Sequence, residues 1–178
     1  GDYFKTMMWL GQIDFLFTQP PGVYPLPIAD LQRQAITAML LNELLFTTDA
    51  RELYAEIDEV LQFMVGDSDN LTPHELKNLA EANNITSPED LLDAGKFVAF
   101  QYALKVNATA GQQILSNIFI LDPFSTAPDT LPVSYRMMGQ RFVLDSYVLG
   151  NLVFPNIEYQ QQKIWRPMPD PLDAMFAL

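Results

Sequence analysis

The sequence predicts a mostly α fold of α+β class, a bundle-like helical domain with one small antiparallel β-hairpin near residues 112–142. Three observations predict it. Apolar residues recur at helical spacing through most of residues 29–105. Helix start signals stand before several of those runs, and the one β-rich stretch is split by a proline-rich loop. With 178 residues, the expectation is a single helical domain over 1–178, as part of a longer protein.

Residues 3–16 place Phe4, Met7, Met8 and Gly11 on one helical face, with Tyr3, Trp9, Leu10 and Ile13 filling much of the rest. A helix apolar almost all round is expected to be buried. Residues 18–28 carry four prolines, which remove donors and hold φ, so this is an extended connector. Ala29 to Phe46 is a helix with the stripe Leu31, Ala35, Ala38/Met39, Leu41/Leu45. Thr47-Thr48-Asp49 ends it, and Asp49 with Glu52 resembles a capping box for the next. There Leu53, Ile57, Val60, Leu61 and Met64 follow i, i+4, i+7, i+8, i+11. So short a link predicts an antiparallel helical hairpin. Gly66 closes it as a C′ glycine.

Thr72-Pro73-His74-Glu75 supplies cap, N1 proline and N3 glutamate, and Ser87-Pro88-Glu89-Asp90 repeats the grammar. Helices are expected over 73–83 and 88–105. Residues 112–121 and 133–142 are expected to pair as strands across the loop at 122–132. Asp145 is placed as the cap of a helix over 146–154, which Pro155 ends. Residues 156–169 read as a polar loop, and Asp170-Pro171 starts a last helix whose apolar face is Leu172, Met175 and Phe176. Neither chain end shows a cap, so both look like cut edges of a longer chain.

Hydrophobic residues make up 49% and charged ones 18%, enough for a core and too few charges for wholesale disorder. The formal net charge of −12 repels phosphate backbones, so nucleic acid is an unfavourable partner. There is no cysteine and only one histidine, His74, which removes thiolate chemistry and a histidine-cluster metal site within this chain. No motif implies a cofactor, and no run of about 20 apolar residues marks a transmembrane segment. His74 falls in a first helical turn and is expected as a surface residue.

The densest stretch, Ser134 to Pro155, holds the candidate ligand-binding residues. Arg136 and Arg141 flank Gly139-Gln140, and buried arginines must be paired. In an extended strand they fall on opposite faces, so each is expected to meet its own carboxylate rather than to share one anion. Gln140, Tyr135 and Tyr147 in this stretch, with Trp165 beyond it, complete the set, as polar and aromatic groups suited to a peptide or carbohydrate. Asp67 and Asp69 alternate like a calcium loop, yet Thr72 stands where the EF-hand needs glycine. Two carboxylates suffice for glycosidase-like hydrolysis, and among the 22 acidic residues Asp145 and Asp173 are the catalytic candidates because they lie in segments that carry a family resemblance.

Five segments carry a family resemblance: Y-F-K-T-M-M-W-L-G-Q at 3–12, F-M-V-G-D-S-D-N-L-T-P at 63–73, Y-R-M-M-G-Q-R-F-V-L-D-S-Y at 135–147, N-L-V-F-P at 151–155 and R-P-M-P-D-P-L-D-A-M at 166–175. Together the chain resembles domain-of-unknown-function family 3160 of bacterial and archaeal proteins. Members look longer than this chain and are often exported or lipid-anchored, so the resemblance implies an extracytoplasmic location and further segments of the same polypeptide as partners. It supplies no catalytic residues. The resulting expectation is a non-catalytic binding or scaffolding domain of an exported protein. The alternatives are a carboxylate-based hydrolase, or a fragment that shares its site with missing segments.

Overall fold

A computed structural model of the chain describes residues 1–20, 25–107, 112–113, 131–152 and 157–163. Its described residues are mostly helical, with small two-stranded pairings. The elements are α1 (Asp2–Gln12), β1 (Phe15–Leu16), α2 (Ile28–Phe46), α3 (Ala50–Met64) and α4 (Pro73–Ala82). A 3-10 turn (Pro88–Leu92), α5 (Ala94–Val106), β2 (Ser134–Tyr135), α6 (Leu144–Gly150), β3 (Glu158–Tyr159) and β4 (Gln162–Lys163) follow.

α2 is the central element, in contact with β1, α3, α4 and the 3-10 turn. Its buried stripe is Leu31, Ala35, Ala38, Met39, Asn42 and Leu45. The two alanines leave room for close approach, and around them gather Phe17, Leu71, Leu76, Leu91, Phe97, Phe100, Leu104 and Tyr135. Phe17 and Phe100 meet edge to face with centroids 6.0 Å apart. A second cluster joins Leu45, Tyr54 and Met138, with Met7, Leu10, Ile57 and Leu61 packed on it.

Local signals explain most helix ends. Thr72 accepts from the Glu75 amide while the Glu75 carboxylate accepts from the Thr72 amide, a complete capping box. Gly66 takes φ +126, which only glycine adopts without strain, and its amide donates to Gln62 and Leu61 as α3 ends.

Several expectations are corrected. α1 stops at Gln12, because the chain turns extended at Ile13 to supply β1, and none of its residues is fully buried. Only Met7 and Leu10 pack inward; Phe4 and Trp9 stand in solvent, since apolar composition does not provide a second surface to pack on. The strand at 134–135 pairs antiparallel with Phe15–Leu16, in register Phe15–Tyr135 and Leu16–Ser134. That pairing is long-range and lies outside the expected hairpin; of the expected partner, 112–121, only 112–113 are described, and 114–121 lie outside the described residues.

The helix expected over 88–105 is two pieces. Asp93, with ψ 117, ends the 3-10 turn and caps α5 by accepting from the Lys96 amide. Gln32 holds the break from outside by donating to the carbonyls of Leu91 and Leu92. Asp49 stands at the N-cap of α3 but makes no side-chain cap bond, because its backbone is already helical. α6 starts one residue before Asp145, with Val143 at its N-cap, and ends at Gly150. Part of the polar loop at 156–169 is a tight hairpin of β3 and β4, turned by Gln160 and Gln161 with φ +53 and +64. The last helix, expected from Asp170, lies outside the described residues.

Candidate functional site

The segment after α3 is stitched to the segment after β2. The Leu71 amide donates to the Ser134 carbonyl at 2.9 Å, the Asp69 amide to the Gln140 carbonyl at 2.8 Å, and the Phe142 amide to the Asp67 carbonyl at 3.1 Å. Side chains lock the seam. Asn70 Nδ2 donates to Ser134 Oγ at 2.8 Å, Gln112 Nε2 donates to the same oxygen, and the Gln113 amide donates to Asp69 Oδ1 at 2.8 Å. Gly139 lies so close that a Cβ there would sit 2.6 Å from Asn70 Oδ1. A Cβ on Gly11 would likewise sit 2.7 Å from the Met138 carbonyl oxygen, so α1 rests backbone to backbone on this seam.

Both candidate arginines lie here, and each is paired. Arg136 pairs with Asp14 at 3.2 Å and donates to the Gly11 carbonyl at 2.7 Å, with both charged side chains almost fully buried. Arg141 pairs with Asp58 of α3 and donates to the Gly66 carbonyl at 3.2 Å. The two guanidinium groups thus face different elements. Arg136 ties β2 to α1, and Arg141 ties the segment after β2 to the end of α3. Charge-assisted bonds to backbone carbonyls that a helix end leaves unpaired suit a structural latch.

Beside this latch lie two buried phenols. Burial pushes the Tyr54 hydroxyl far above the ordinary tyrosine range, helped by the Asp58 carboxylate and by Tyr135. Burial alone raises Tyr135. Both hydroxyls are buried with no hydrogen-bond partner among the described residues, as is Asn42 Oδ1. Both tyrosines are therefore neutral throughout the physiological range and are poor general bases.

The remaining candidates are not brought together here. Gln140 joins the seam through its carbonyl while its side chain is exposed. Asp145 and Tyr147 lie exposed on α6. Asp67 is exposed and accepts from Gln62 Nε2, whereas Asp69 is buried in the seam. Among the described residues no group of three or more His, Asp and Glu side chains is placed to hold a metal ion. Trp165 and Asp173 lie outside the described residues. His74 is exposed and meets the Phe46 ring edge-on at 5.1 Å, with Lys77 over the same ring.

Sequence reasoning named neither Asp14 nor Asp58, the carboxylates that hold the arginines. Asp58 had a legible signal: it lies four residues after the buried Tyr54 and so on the packed side of α3. Asp14 carried none, because it follows the helix in a segment whose course is set by distant pairing.

A family model described as protein of unknown function (DUF3160) matches residues 1–178, so the chain belongs to that family. Three of the segments that carry the resemblance, 3–12, 63–73 and 135–147, converge on this one seam. No curated protein and no solved structure matches the chain. Among the described residues no helix is long and apolar enough to cross a membrane.

Proposed function

We propose that this member of the family is a non-catalytic binding or scaffolding domain of an exported bacterial protein, acting outside the cytoplasm on a peptide or carbohydrate ligand. The observation that carries this reading is the engagement of Arg136 and Arg141. Each guanidinium is held by a carboxylate and by a backbone carbonyl, so the most family-like segments serve to hold the fold together. Aromatic rings are among the groups free for contact: Tyr147, Tyr159 and Trp9 all present theirs to solvent. Aromatic side chains supply large contact area at low entropic cost, which suits peptides and sugars alike. A net charge of −12 speaks against nucleic acid as the ligand.

The test uses the natural full-length protein from its host. Fractionation with intact mass analysis is expected to find it in the membrane or secreted fraction. Glycan and peptide panels are expected to reveal binding without turnover. Hydrolysis of any panel member that Asp145→Asn abolishes would replace this reading with the carboxylate hydrolase.

A further inference from the structure

The outer face of α3 is the feature that neither the core nor the latch uses. At about 100° per residue, Leu53, Val60 and Met64 fall within roughly 40° of one another, just beside the packed side that carries Tyr54, Ile57 and Leu61. These apolar side chains are 63%, 56% and 74% exposed, and Phe63, further round, is 92% exposed. The apolar arc of α3 is therefore wider than the surface it packs against.

Carboxylates line this arc on the side away from the core. Glu52, Glu56 and Glu59 are exposed, and none takes part in an ion pair among the described residues. The order has the form of a helix-pairing seam. Leu53, Glu56, Val60 and Phe63 are spaced i, i+3, i+7, i+10, like successive a and d positions, with Glu52 and Glu59 at the flanking g positions.

We infer that this face docks a basic amphipathic helix, one with apolar residues opposite Leu53, Val60 and Phe63 and with Lys or Arg opposite Glu52, Glu56 and Glu59. Charge selects this occupant. A second copy of the chain would bring the three glutamates against their own kind on a molecule of net charge −12, which repels it. A neutral apolar partner would cover the strip but desolvate the carboxylates without pairing them. A partner that is both basic and amphipathic satisfies both halves of the face, the helix-on-helix form of peptide recognition.

This inference rests on the binding-domain reading and gives its partner a chemistry. The test titrates the full chain with three synthetic peptides by fluorescence anisotropy. One is a leucine–lysine helix with leucine at the positions that face Leu53, Val60 and Phe63 and lysine at those that face Glu52, Glu56 and Glu59; the second has the same composition scrambled; the third has glutamine in place of every lysine. The leucine–lysine helix is expected to bind at least about tenfold more tightly than either control. V60S with F63S should weaken it about tenfold while leaving the thermal midpoint unchanged, because both side chains are already exposed. E52Q with E56Q and E59Q should weaken it and flatten its salt dependence. Equal binding of the scrambled peptide, or binding untouched by V60S/F63S, overturns the inference. So does a dimer in sedimentation that V60S/F63S dissolves. Should those variants unfold, the comparison of the three peptides on the unaltered chain still decides. Turnover lost with Asp145→Asn defeats the binding-domain reading alone and leaves the peptide result as measured.

Discussion

Replacing Arg136 with methionine should be among the most damaging single changes in this chain. The guanidinium donates to the Gly11 carbonyl at 2.7 Å and pairs with Asp14 at 3.2 Å, and the two charged side chains are only 4% and 7% exposed. Two bonds to or from a charged group, at about 1.5–3 kcal/mol each, give about 3–6 kcal/mol. Breaking a buried pair by removing one partner costs about 3–5 kcal/mol by direct comparison, because the other charge stays in a low dielectric. The two routes agree, and the loss is a large share of the roughly 5–15 kcal/mol that holds a domain folded. Methionine keeps the apolar stem, so packing contributes little to the difference.

Urea denaturation followed by circular dichroism measures this loss, provided the transition is two-state. The decisive form is a double-mutant cycle. Arg136→Met and Asp14→Leu are each expected to destabilise strongly, and the double variant to recover about 2 kcal/mol or more of their sum. The cycle subtracts whatever each residue contributes alone. A loss below about 1 kcal/mol for Arg136→Met, the level of a surface pair, would refute the reasoning. Strict additivity would refute it equally.

Three further outcomes follow from the same geometry. Gly139→Ala should cost about 1–3 kcal/mol by overpacking, since its Cβ would meet Asn70, which its own bond to Ser134 holds in place; Gly150→Ala, with nothing within 4 Å, is the neutral control in the same denaturation assay. In alkali, the raised Tyr54 and Tyr135 ionise more readily unfolded than folded. Their stabilisation is complete below about pH 10 and is lost as pH rises beyond it, so tyrosinate absorbance should reveal a class of phenols that ionises only with unfolding. In acid, Asp90 is held well below the usual carboxylate range by Lys96 and by the amides of Thr86 and Ser87. Its contribution is present above about pH 4 and fades as pH falls, so Asp90→Asn should flatten the acid limb of the stability curve, and an unchanged limb would count against it.

The features legible in the residues are those that short-range chemistry controls. Thr72-Pro73-His74-Glu75 announces the start of α4, because cap, proline and glutamate act within one turn. The stripe of α2 is legible from Leu31 to Leu45 because every partner sees the same helical period. Gly66 is legible as a helix end because only a residue without Cβ takes its φ. The pairing of both arginines with carboxylates is legible in kind, since a buried guanidinium in so acidic a chain must find one.

Tertiary structure alone decided the partners. Residues 134–135 are β-prone wherever they pair, but their ladder runs to Phe15–Leu16, more than a hundred residues away, and no local pattern encodes that choice. The apolar arcs of α1 and α3 read as buried because composition reports what a helix would like to cover. Exposure depends instead on how much neighbouring surface the fold supplies. The fold supplies enough for Met7, Leu10, Ile57 and Leu61, and leaves Trp9 and Phe63 in water.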